Sequence, residues 1–133
     1  MLKYLCLFLF SVIIVNSCIR PRDNEYQKAL LRVKNFLAFY DSLTKNSASI
    51  HQLQYINAQA EESVKTRIIP YLDSISTKLK ETKRENIQIL KAYLELYFKE
   101  SKSAEEYNKL KALEKDVEKI LKGARGNERD FKR

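Results

Sequence analysis

EYQKALLRVKNFLAFYDSL, residues 25–43, decides the fold. Tyr26, Ala29, Leu30, Val33, Phe36, Leu37, Tyr40 and Leu43 recur at three- and four-residue steps. That spacing lays one apolar stripe along about five turns of helix, because side chains three and four apart share a face. A strand would need alternation at every second residue, and none is present here.

Outward from this stretch the pattern repeats. Ser49 and Gln52 are spaced as a capping box, and Ile50, Leu53, Ile56, Asn57, Ala60, Val64 and Ile68 form the next stripe. Pro70 follows at once. It lacks a backbone donor and its ring crowds the preceding turn, so the sequence predicts a kink or a break, with the kink favoured because few turn residues flank it. Tyr71, Leu72, Ile75 and Leu79 carry the apolar face onward. Thr82 and Glu85 mark a third start, followed by Ile87, Leu90, Tyr93, Leu94, Tyr97 and Phe98. Ser103 and Glu106 mark a fourth, followed by Tyr107, Leu110, Leu113, Val117, Ile120 and Leu121. Gly123 stands where a C-terminal glycine with positive φ belongs, and Lys119 and Lys122 suit the negative end of that helix.

With two glycines, two prolines and no tryptophan in 133 residues, the chain lacks the turn residues of a sandwich or a glycine-rich α/β fold. The expected fold is all-α, an antiparallel bundle of about four helices over residues 25–123, the second kinked or broken at Pro70. Aromatic residues at 26, 36, 40, 93, 97, 98 and 107 are expected to supply much of its buried area. Residues 124–133 read as a charged tail.

The N-terminus has a different character. Lys3 precedes a twelve-residue apolar run, Tyr4 to Val15, and Asn16-Ser17-Cys18 follows. This is the layout of a secretory signal. The uncharged stretch to Ile19 is shorter than the roughly 20 residues a membrane span needs. Val15-Asn16-Ser17-Cys18 resembles a bacterial lipobox, with Asn16 bulkier than usual. The resemblance implies residues 1–17 as a leader and Cys18 as the acylated residue, carrying a diacylglycerol and fatty-acyl anchor such as palmitate. Residues 18–24 are then expected to be a short tether, held out of helix by Pro21 and capped onto the first helix by Asp23 or Asn24. With Cys6 lost and Cys18 consumed, the mature chain has no thiol for a disulfide.

Little points to chemistry. His51 is the only histidine, and with no available cysteine it makes no metal site. No glycine-rich loop can cradle a phosphate, and no nucleophile–base set can be assembled. Glu61-Glu62 and Glu105-Glu106 are neighbours on a helix, so their carboxylates diverge. The expectation is a non-enzyme with no cofactor, no metal and no small-molecule substrate.

Charge is the remaining signal. The formal net charge is +8, or +7 once Lys3 leaves with the leader. Lys78, Lys80, Lys83 and Arg84 form one candidate ligand-binding cluster; Lys122, Arg125, Arg129, Lys132 and Arg133 form another group. Export removes nucleic acid as a partner, leaving an acidic membrane surface, an anionic glycan or a host protein. The plainer reading is solvated helix faces with pairs such as Glu95–Lys99 and Glu118–Lys122.

The lipobox, the lysine- and asparagine-rich composition and the small helical mature domain resemble the surface lipoproteins of Borrelia-type spirochaetes, and are most similar to their small plasmid-encoded OrfD-like lipoproteins. That resemblance implies a protein anchored in the outer membrane and displayed on the cell surface, where relatives of several families interact with host or vector molecules. A periplasmic accessory role, binding a bacterial partner, is the alternative.

Overall fold

A computed structural model describes residues 21–124. The leader, Cys18 and residues 125–133 lie outside the described residues. The helices are α1 (Pro21–Lys45), α2 (Ile50–Ser63), α3 (Ile69–Ser76), α4 (Glu81–Tyr97) and α5 (Ala104–Lys122), with a π-helical segment Val64–Ile68 joining α2 to α3. Because that junction stays helical, the architecture is four rods, α2 and α3 forming one of them. Successive rods run antiparallel, and α1 packs against both the second rod and α5.

Pro70 does not break the chain. The spacing of the apolar face explains what happens instead. Ile56, Ala60, Val64, Ile68, Leu72 and Ser76 are all buried, at an unbroken step of four. In an α-helix each such step drifts by roughly 40°, so five would carry the face to the other side of the rod. The wider π turn takes up one extra residue and resets the face. The Ile69 N–H donates to the Val64 carbonyl five residues back. Pro70, one residue later, has no N–H to place. Both halves of the stripe therefore reach the same core.

That core is Tyr26, Leu30, Val33, Val64, Ile68, Leu72, Ile75, Leu79, Ile87, Leu90, Tyr93, Leu94, Phe98 and Val117, with Ala29 and Ala60 between them. Leu30, Leu72, Ile87, Leu90 and Leu94 are its largest fully enclosed side chains. Phe36, Leu37, Tyr40, Leu110 and Leu113 are only half-buried against it. Five expected stripe positions are exposed: Leu43, Ile50, Asn57, Tyr97 and Tyr107. Tyr40 packs edge-on to Phe98, the residue that ends α4. Leu43, nearly one turn further, has no α4 residue left to cover it.

The helix ends show where local signals succeed. Ser49 accepts from the Gln52 N–H at 3.2 Å, but the Gln52 side chain takes the N–H of Ala48, not that of Ser49. Ser103 and Glu106 form the full reciprocal box. Other expectations need correction. Residues 21–24 belong to α1, because proline suits a first helical turn whose amide has no partner to lose. Asp23 and Asn24 are thus inside the helix and do not cap it. The third start lies one residue before Thr82: Lys80 supplies the extended cap residue, without a side-chain bond. Gly123 has φ −75°, not positive; α5 closes instead with i→i−3 bonds from Gly123 to Ile120 and Ala124 to Leu121. Ala124, assigned to the tail, is half-buried against the core.

Candidate functional site

The two ends of the bundle differ, and the difference begins with direction. α1 begins three residues after Cys18 in the sequence, and its first turn marks one end of the bundle. Tyr40 lies about 28 Å further along the helix axis than Pro21 at 1.5 Å per residue. The ends are called near and far from that starting point.

At the far end an open cleft of about 760 Å³ lies between α1, residues 54–61 of α2, and the α4–α5 turn. Its walls include Tyr40, Asn57, Glu61, Tyr97, Lys102 and Tyr107. An aromatic cluster forms its floor. Tyr40 meets Tyr97 and Phe98 edge-on at centroid distances of 6.0 and 4.8 Å, and Tyr93 stacks on Tyr97 at 5.4 Å. Burial, then the neighbouring Tyr97 and Glu114, pushes the Tyr93 phenol up to about 12. Burial likewise raises Tyr40 and Tyr97. These phenols stay neutral hydrogen-bonding groups. The Tyr40 hydroxyl donates to Asn57 Oδ1 at 2.5 Å.

The α4–α5 turn forming one wall is fastened at several points. Lys99 pairs with Glu106 at 2.5 Å, not with Glu95, and this holds the Glu106 carboxyl below its usual range. Lys102 donates to the Lys99 carbonyl at 2.9 Å. A rigid rim beside exposed aromatic rings suits recognition of a partner.

The far end also gathers exposed apolar surface. Among the described residues the large apolar side chains left exposed are Phe39, Leu43, Ile50, Tyr55, Tyr97 and Tyr107. All lie at the end of α1, the start of α2, or around the α4–α5 turn. Scattered apolar residues carry no message, but confinement to one end does. Phe39 and Tyr55 fall outside the predicted stripes. That displacement is the sequence signal that could have marked them.

The predicted basic cluster sits at the opposite, near end. Lys78 lies 4.0 Å from Glu25, and Lys83 stands over the Tyr26 ring at 5.4 Å. Lys80 is exposed. Arg84 is exposed but folds back onto the chain: its Nε donates to the Ser76 carbonyl at 3.1 Å and an Nη to the Leu79 carbonyl at 3.0 Å. It satisfies carbonyls where the second rod ends. The cluster is therefore two exposed lysines, the half-buried Lys83, and an arginine engaged with main-chain carbonyls. Lys122 pairs with Glu118 at 3.1 Å.

His51 is exposed at the start of α2. Glu61 pairs with Lys65 at 2.6 Å. Among the described residues no group of three or more His, Cys, Asp or Glu side chains is placed to hold a metal, and no helix is long and apolar enough to cross a membrane. Cys18 and the arginines and lysine beyond Ala124 lie outside the described residues. Comparison of the chain with protein-family models, curated proteins and solved structures returns no match, so the functional reading rests on sequence and geometry alone.

Proposed function

We propose that the chain is a bacterial lipoprotein, held in the outer membrane by acyl chains on Cys18, that acts at the cell surface by binding a host or vector molecule and not by catalysis. The observation that carries this reading is the arrangement along α1. The lipobox-like Cys18 precedes one end of the bundle, and the cleft with its exposed aromatics lies at the other. An anchor at the near end turns the far end outward. Tyrosine is well suited to such a surface, since it offers a large contact area and a hydroxyl at low entropic cost.

Protease treatment of intact cells tests display: loss of the protein supports a surface position, and survival until the envelope is opened supports the periplasmic alternative. Binding to serum and vector proteins then tests the far end, where Tyr107 lines the cleft and Tyr55 is an exposed aromatic outside its lining. Tyr55 and Tyr107 are mostly exposed, so the fold should tolerate Tyr55→Ser and Tyr107→Ser. Each is expected to weaken capture of the partner about tenfold or more, as loss of a contact tyrosine does. Unchanged capture by both variants moves the recognition surface elsewhere.

A further inference from the structure

We propose that the near end of the bundle docks on anionic lipid headgroups through Lys78, Lys80, Lys119 and Lys122, and that this contact sets the bundle upright on its membrane. The inference rests on the anchor reading for its direction, and on the fold for its surface.

The fold assembles this surface from three separate parts of the chain. The Lys78–Glu25 pair and the 2.9 Å bond from Asn86 to the Tyr26 hydroxyl set the turn between α3 and α4 beside the start of α1. The 3.3 Å bond from Gln27 to the Gly123 carbonyl sets the end of α5 there too. Residues 77–85 and 118–122 together carry six basic and three acidic side chains. In α1 the described side chains nearest this end are balanced, Lys28 against Glu25. At the far end the sign differs: residues 95–109 carry four acidic and three basic side chains. The molecule is thus electrically polar along its length, positive at the end next to the proposed anchor.

Distance makes that polarity effective. Cys18 precedes the helix by three residues, a reach of roughly 10 Å. Attraction between exposed charges persists over about 8 Å at physiological salt. Near-end lysines therefore fall within the field of anionic headgroups, and far-end lysines do not. Lys78 keeps 61% of its side-chain exposure despite its loose partner, and Lys80 and Lys119 are exposed. Arg84 is excluded from the docking set because its guanidinium is committed to carbonyls. An acyl chain supplemented by basic residues holds more firmly than the chain alone, by about fivefold in partitioning per lysine near the surface.

The test is an amine-labelling footprint of the full chain, purified in detergent and placed in nanodiscs of phosphatidylcholine alone or mixed with phosphatidylglycerol. Labelling of Lys78, Lys80 and Lys119 should slow by about threefold or more in the anionic discs, consistent with per-lysine attraction of that order. The protection should vanish at about 0.5 M salt, where the screening length falls to roughly 4 Å. Lys102 and Lys109 should label equally in both discs. The triple variant Lys78→Glu, Lys80→Glu, Lys119→Glu should keep its helical circular dichroism and lose the remaining protection at Lys122. Equal labelling of near-end lysines in the two discs overturns the proposal, as does protection of the far-end lysines. The mass of the peptide bearing Cys18 reports acylation separately. Near-end protection without acylation rejects the anchor alone, and acylation without protection rejects the docking surface alone.

Discussion

Arg84 carries a full charge and spends it on two main-chain carbonyls. Removing it leaves those carbonyls without their charged donor, so Arg84→Ala should cost about 1–3 kcal/mol. Lys80→Ala, changing only solvated surface, should stay within about 0.5 kcal/mol. Urea midpoints of the two variants check this, and equal midpoints would show that the guanidinium contributes nothing. Leu94 is fully enclosed whereas Leu37 and Leu113 are half-covered. Leu94→Ala should therefore cost about 2–5 kcal/mol, and the other two clearly less. Tyr93 gives a pH signature. Its proton is held more tightly in the folded state, with a pKa raised from 10.0 to about 12. The stability linked to it is fully present below pH 10 and is lost as pH rises towards 12. The parent's urea midpoint should fall across that window more steeply than that of Tyr93→Phe. Leu94 was legible from the helical stripe. The role of Arg84 was not, because its acceptors lie five and eight residues back across a turn whose shape periodicity does not specify.

The second rod shows how an element reconciles its sequence with the core. Its apolar residues step by four, too wide for an α-helix and met on average by one π turn. Deleting exposed Thr66 should remove the extra residue and convert that turn to α-helix, so that the following segment keeps its face. Leu72 and Ile75 should then stay in the core, and thermal unfolding should remain cooperative with helical dichroism close to the parent's. Loss of cooperative unfolding would show that the π turn does more than absorb one residue. The four-residue step was visible in the sequence, yet Pro70 drew attention to a kink or a break. Local rules gave the Ser103–Glu106 box correctly. They misplace the start of α1, because a proline that interrupts a helix interior is compatible with the first turn, where Pro21 stands.

At the scale of the whole molecule, the antiparallel order of four rods gives the two ends their separate characters. Composition made the bundle legible. It could not reveal that Lys78 lies beside Glu25, or that Tyr40 and Tyr107 face one cleft, since those neighbours are brought together only by the topology. Anchor, basic end and outward aromatic end form one account, and its direction along the bundle depends on Cys18. Its most direct test is metabolic labelling with palmitate in bacteria expressing the parent and Cys18→Ala, with mass analysis of the N-terminal peptide. The account predicts label on the parent, a mature chain beginning at acylated Cys18, and an unlabelled, uncleaved variant. Label that persists in Cys18→Ala, or a parent that begins elsewhere and carries no lipid, would contradict it.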